Sequence, residues 1–300
     1  MLPFKLVYHD GYDLNLGEHV FPSRKYRLIR DRLLEEHFAE PEDFIAPQPV
    51  SDADILRVHD PGWVHRLKTG TLTVQELLKL EIPYSPEMVA AFWLATGGSI
   101  LAARNALSQR IGFNIGGGFH HAFPGHGEGF CAIHDVAVAI RALQHDGSIE
   151  RAMVVDLDVH HGNGTAAIFA GDRSVLTLSM HQFHNYPSEK PDSIIDIHLQ
   201  DGVKDEEYLS RLNNALAVAM GFAPNLIFYL AGADPYREDQ LGGLSLTMDG
   251  LKQRDRLVFK TAQAQNVPVA VVLAGGYALN TADTVTIHCN TAKAAREALQ

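Results

Sequence analysis

Six short, almost wholly apolar runs recur along the chain, at Lys5 to Tyr8, Ile111 to Ile115, Met153 to Val159, Val175 to Met180, Leu226 to Leu230 and Val269 to Ala274. Runs of this length with no polar face read as strands buried on both sides. Between them, apolar residues return at three-to-four spacing over Arg24 to His37, Pro86 to Leu107, Asp135 to Gln144, Asp205 to Met220, Leu251 to Ala264 and Thr281 to Leu299, which predicts helices. Strands separated by helical crossovers run parallel, so the alternation predicts an α/β fold with a largely parallel central sheet and helices on both faces. At 300 residues, 46% hydrophobic and 20% charged, the chain can bury one such core. No internal repeat, low-complexity tract or Pro/Ser-rich linker divides it, so residues 1–300 are read as a single domain, with the proline-rich "EPEDFIAPQPV" as a surface loop.

Composition narrows the functional classes. The balance of 25 basic against 36 acidic residues, formally -11, argues against nucleic-acid binding and mildly favours a cationic substrate or partner. The longest apolar run, "VPVAVVLAGGYAL", is too short and glycine-rich to span a bilayer, and "MLPFKLVYHDGYD" lacks the basic start and apolar core of a signal peptide. The expectation is a soluble, cytoplasmic protein with no membrane partner; its oligomeric state is open. With only Cys131 and Cys289 and no CxxC pair, neither a disulfide framework nor a thiolate zinc site is expected. A metal would have to rely on His and carboxylate.

Those residues are placed together by the strand pattern. "NIGGGFHH", "DLDVHHGNG", "SMHQFHNYP", "LAGADPY" and "LAGGYA" each follow a predicted strand, and in open parallel sheets the carboxyl edge is where ligands bind. The run "VVDLDVHHGNGT" is the most demanding, because Asp156 and Asp158 interrupt a buried strand, and buried carboxylates are paired, hydrogen-bonded or metal-bound. If the strand continues that far, its period of two points Asp158 and His160 to one side, and Asp234 can supply a third ligand. Two carboxylates and an imidazole with an open position suit a catalytic Zn²⁺, while Fe²⁺ or Mn²⁺ is tolerated. His120 and His121 are candidates for proton transfer, with Asp156 and Asn163 as hydrogen-bond partners that fix their tautomers. Tyr277, after two glycines that permit movement, can donate to a developing oxyanion.

"GGGFHHAFPGHGEGFC", "VVDLDVHHGNGT", "AGADPYREDQLGGLSLT" and "LAGGYA" resemble the motifs of zinc-dependent histone deacetylases and their bacterial relatives, which include acetylpolyamine amidohydrolases and acetoin-utilisation proteins. The motifs fall in that family's order from about Ile111 to Ala278, and "YHDGYDLN", "FPSRKYRLI" and "HDPGWVHRL" extend the likeness over most of the chain, with "FPSRKY" leaning toward the bacterial and class IV branch. The resemblance implies an arginase/deacetylase-like fold and hydrolysis of an N-acylated amine such as acetyl-lysine, or of an acetylpolyamine. It implies Asp158, His160 and Asp234 as zinc ligands, His120 and His121 as the acid/base pair, and Tyr277 as the oxyanion donor. Gly129, Phe130, Leu241, Gly275, Gly276 and Phe183 or a neighbour would belong to the substrate tunnel. It further implies a structural potassium ion held by the side chain and carbonyl of Asp156, the carbonyls of Asp158, His160 and Met180, and the Ser179 hydroxyl. Asn163 departs from the Asp found in many members, so His121 should be less strongly held as an imidazolium; His134 stands where the best-known members have Asn.

Two other readings compete. A binuclear ureohydrolase of arginase type would need further bridging carboxylates, and a silent acyl-lysine binder would not need Tyr277. "GFNIGGGFHH" lacks the register of a dinucleotide-binding loop. His9, His19, His59, His65, His145, His198 and His288 are read as surface or packing residues, Cys131 as a small buried residue and Cys289 as core.

Overall fold

The structure, a computed structural model, describes residues 1–300. Eight strands form one sheet: β1 (Leu6–Val7), β2 (Phe44–Ile45), β3 (Ile111–Asn114), β4 (Ala152–Asp156), β5 (Val175–Gln182), β6 (Ile195–Leu199), β7 (Leu226–Leu230) and β8 (Val269–Val272). Their spatial order is β2-β1-β3-β8-β7-β4-β5-β6, and every neighbouring pair is parallel.

Alternate residues of the central strands go to opposite cores. Met153, Val155, Ile227, Tyr229, Val269 and Val271 join one apolar cluster; Ala152, Val154, Leu226, Phe228, Ala270 and Val272 join the other. This period of two is why these runs are apolar throughout, since both faces are covered. On the first face lie residues of helices Lys25–Glu35, Asp205–Ala219, Met248–Ala264 and Thr281–Glu297; on the second, those of Asp135–His145 and the later turns of Pro86–Gln109. The helix Pro86–Gln109 is long and apolar enough to cross a membrane by length and composition, but 67% of its most apolar window is buried within the fold. It begins where Ser85 accepts from Met88 N and Pro86 occupies the first turn.

Three expectations need correction. The Asp156-to-Val159 segment leaves the sheet: β4 ends at Asp156, and beyond Leu157 the backbone N–H groups of Asp158 and Val159 donate to the carboxylates of Asp156 and Asp234 instead of to a strand. The "EPEDFIAPQPV" loop contains the two-residue edge strand β2, too short to carry a periodic signal. β6 was also not anticipated, because an edge strand needs only one apolar face and "IDIHL" places Asp196 and His198 on the other.

Candidate active site

Because all strands run parallel, the segments after β3, β4, β5, β7 and β8 emerge on one edge. The donor atoms of Asp158, His160 and Asp234 come within 4.8 Å of one another there. His160 Nδ1 lies 2.9 Å from Asp158 Oδ1 and 3.4 Å from Asp234 Oδ2. One oxygen of each carboxylate is anchored by backbone: Gly275 N donates to Asp158 Oδ2 at 2.8 Å and Val159 N to Asp234 Oδ1 at 2.9 Å. Their convergence thus comes from loop hydrogen bonds rather than from strand periodicity. Gly275 must be glycine, since a Cβ there would stand 2.0 Å from Asp234 Oδ2 and 2.6 Å from Asp158 Oδ2.

This cluster fits a cation. Asp158 and Asp234 are 1% and 0% exposed, and Asp234 Oδ2 has no hydrogen-bond partner. Burial, with Asp158 beside it, pushes Asp234 up to about 7. Burial pulls the His160 ring down, but Asp158 and Asp234 more than offset this and raise it to about 10. Carboxylates this deep need a positive partner: the His160 imidazolium serves, and a dication with the neutral ring would satisfy the same three donors.

The tandem histidines are buried beside it, ring centroids 4.0 Å apart, in distinct hydrogen-bond settings. His120 Nδ1 is 2.7 Å from Asp156 Oδ2, and its Nε2 is 3.7 Å from Asp158 Oδ1. Burial lowers the His120 pKa, but Asp156 and Asp158 outweigh it and carry the ring to about 9. His121 Nδ1 is 2.7 Å from Asn163 Oδ1, while Asn163 Nδ2 donates to Glu128 Oε1 at 2.5 Å. A carboxylate can only accept, so the amide oxygen faces His121 and Nδ1 must be the donor, leaving Nε2 as an acceptor. Burial, then the neighbouring His120 and His160, hold His121 well below the ordinary imidazole value. One ring is kept cationic and the other neutral.

A cavity of about 180 Å³ opens over this floor. His121, His160 and Tyr277 face it, with Gly129, Phe130, Tyr186 and Leu241 as walls. Phe130 has φ 69°, a strained conformation for an aromatic residue, imposed by hydrogen bonds from Gly129 N to Lys79 O and Phe130 N to Leu80 O. The placement of Phe183 in the tunnel is corrected: it is 42% exposed and lines a neighbouring cavity, because the chain after β5 turns and brings Tyr186 to the wall instead. Gly275 stands against Asp158 and Asp234 and Gly276 against Ala233, Thr284 and His288, and neither lines the cavity. Near β4, Asp156 and Ser179 are register partners, and Ser179 Oγ is 2.9 Å from His181 Nδ1.

Several supporting residues gave no local signal. Asp135 accepts from Gly118 N and Phe119 N and so shapes the turn before His120. Asp239 accepts from Tyr277 N at 2.6 Å and from Leu241 N at 2.9 Å, tying the candidate oxyanion donor to the Leu241 wall of the cavity. His134 caps helix Asp135–His145, its Nδ1 accepting from Ala137 N at 3.2 Å while its Nε2 meets Thr165 Oγ1 at 2.9 Å; Asn is also a good cap, which accounts for the exchange. His59 and His288 are buried; His59 Nδ1 donates to Phe123 O at 3.0 Å and its Nε2 accepts from His134 N at 2.9 Å.

The setting of His121 gives a prediction. Asn163→Asp puts a carboxylate against Nδ1 and raises the His121 pKa; combining it with Glu128→Gln keeps a donor for the position that the Asn163 amide nitrogen occupies. If neutral His121 is the working form, the acid limb of the pH–rate profile moves to higher pH; an unmoved limb removes His121 from that role.

The histone deacetylase domain profile matches residues 19–292. An uncharacterised protein of Picosynechococcus is 42% identical over 98% of this chain and 99% of its own length. Histone deacetylase 2 of Arabidopsis thaliana is 32% identical, covering 93% of this chain and 76% of that protein, and the acetoin utilization protein AcuC of Bacillus subtilis is 29% identical over 85% and 72%. Among solved structures, the HDA15 HD domain superposes with a TM-score of 0.80 at 24% identity, over 96% of this chain and 90% of that one. An acetylpolyamine aminohydrolase from Burkholderia pseudomallei superposes equally, with a TM-score of 0.80 at 19% identity, over 97% and 98%. The chain belongs to the histone deacetylase domain family, and is a hydrolase of the deacetylase kind.

Proposed function

We propose that the protein hydrolyses the amide of an N-acylated amine such as acetyl-lysine, with Asp158, His160 and Asp234 holding a Zn²⁺ ion and a cytoplasmic location. The observation that carries this is the convergence of three buried donors, Asp158, His160 and Asp234, beneath a cavity to which His160, His121 and Tyr277 are open, with His120 packed against His121. Bound there, zinc supplies Lewis acidity and lowers the pKa of water from 15.7 to roughly 7, and Fe²⁺ suits the same donors. His121, neutral with Nε2 open, accepts the proton of the attacking water and returns it to the departing amine. His120, held against Asp156, keeps positive charge beside the reacting carbonyl. Tyr277 donates to the oxygen that becomes negative. Phe130 and Tyr186 take the methylene stem between them, and Leu241 sits at the mouth. A structural K⁺ is assigned to Asp156, the Ser179 hydroxyl and the carbonyls of Asp158, His160 and Met180.

A small acetylpolyamine is the second reading, supported by Glu81, which lines the cavity and could meet a free ammonium group. Zinc-loaded protein should release acetate from an acetyl-lysine peptide with higher kcat/KM than from N-acetylputrescine or N-acetylspermidine; the reverse order favours the second reading. No acid released from any acylated amine would sink both.

A further inference from the structure

A second set of metal-type donors lies outside the catalytic cluster. His161 is wholly buried, and neither of its ring nitrogens has a hydrogen-bond partner. Its Nε2 stands 3.3 Å from Asp196 Oδ1, a buried oxygen that also lacks a hydrogen-bond partner. The His181 ring crosses that of His161 with centroids 4.5 Å apart, and the donor atoms of His161, His181 and Asp196 lie within 4.8 Å of one another. His198 Nδ1 is 2.9 Å from His181 Nε2. The parallel register places Ser179 opposite Asp196 and His181 opposite His198, so these side chains share one face of the β5–β6 pair.

We propose that His161, His181, Asp196 and His198 form a second divalent-metal site, of the Zn²⁺ class, on the β5–β6 edge of the sheet. Three imidazoles and one carboxylate are a borderline donor set, and four protein ligands close a site in the manner of structural zinc. The outer contacts already aim the donors. Ser179 Oγ engages His181 Nδ1 at 2.9 Å, and Ser193 N donates to Asp196 Oδ2 at 2.7 Å, which leaves Asp196 Oδ1 for the ion, while His181 Nε2 and His198 Nδ1 would exchange their mutual 2.9 Å contact for it. A histidine cluster joined only by hydrogen bonds accounts for His181 and His198, but it leaves His161 Nδ1 with no partner and gives Nε2 and Asp196 Oδ1 only a 3.3 Å contact that is not a well-formed hydrogen bond, all in buried surroundings. An entry path exists through a cavity of about 730 Å³ lined in part by Asp196 and His198, the latter exposed. No donor is shared with Asp158, His160 or Asp234, so the pair differs from the bridged centre of a ureohydrolase. Metal here would tie His161, next to the ligand His160, to the strand whose outgoing loop carries Tyr186 to the cavity wall.

The test is metal counting on the full chain. Protein stripped with chelator, reloaded with Zn²⁺ and desalted should carry about two equivalents by elemental analysis, and Asp196→Asn and His198→Ala about one, with melting temperature recorded to confirm folding. Co²⁺ titrated into wild-type protein should give d–d absorption that saturates at a second equivalent. A wild type that stops at one equivalent, lost in Asp158→Asn and kept in Asp196→Asn, overturns the proposal, as does a second equivalent that survives in both folded variants. If the catalytic assignment is what fails, the equivalent removed by Asp196→Asn remains, while Asp158→Asn removes none.

Discussion

Asp158→Asn protein is expected to lose turnover entirely together with one equivalent of zinc. The amide keeps the size of the carboxylate and an oxygen to accept from Gly275 N, while its NH2 replaces the oxygen that accepts from His160 N. What disappears is one of two negative charges among three donors. Loss of partners that merely orient a ligand already costs roughly 10- to 100-fold in affinity, so loss of a ligand should exceed that. His160→Ala and Asp234→Asn should behave alike. Stability separates this role from packing. Asp234 is an acid whose folded pKa, about 7, is raised above its ordinary value of 3.8, so the folded chain binds the proton more tightly than the unfolded one. Metal-free stability therefore falls as pH rises through the window from about 3.8 to about 7, and the penalty is complete above it. Asp234→Asn removes that penalty, so metal-free Asp234→Asn should melt at or above the wild type at pH 8 while being inactive with zinc supplied. A variant that keeps both its metal and its turnover would remove these residues from the site.

Tyr277→Phe is expected to lower kcat by on the order of 10² to 10³, about 3 to 4 kcal/mol, with zinc content and substrate affinity much less changed. The ring is held independently of its hydroxyl. Phe21 and Phe130 pack at centroid distances of 6.1 and 6.0 Å, Lys25 Nζ lies 5.9 Å from the ring centre, and the backbone N–H is fixed by Asp239. Phenylalanine should therefore occupy the same place, and only the donor is lost. A silent binder predicts the opposite pattern, because a tyrosine that only packs would change melting temperature and leave turnover per folded molecule intact. Measuring kcat, zinc stoichiometry and melting temperature on one preparation distinguishes the two, and near-wild-type kcat would exclude Tyr277 from the chemistry.

How much of the site was legible follows from how each part is built. The parallel sheet was readable because strands buried on both faces have no polar period, and the edge carrying the ligands followed from strand direction alone. Asp158, His160, Asp234, His120, His121 and Tyr277 could be picked out because ionisable groups at the ends of such strands have few other reasons to be there. Glu128, Asp135, Asp239 and Tyr186 carry no comparable mark. Each acts through a contact closed by a loop, such as Glu128 on Asn163 or Asp239 on Tyr277, and sequence spacing says nothing of where a loop returns.

By itself, then, the sequence determined the α/β class and the rim on which the proposed chemistry gathers, and it marked the residues proposed to perform it, since these depend on hydrophobic period and residue type. Tertiary structure alone decided the rest. It showed that Asp158 and His160 converge through loop hydrogen bonds after β4 has ended, and that Tyr186 rather than Phe183 closes the cavity. It also gave His120 and His121, adjacent and identical in type, opposite charge states. The reason is physical: a buried ring takes its protonation from the groups that touch it, Asp156 in one case and the amide oxygen of Asn163 in the other, and those contacts span more than 30 residues of chain.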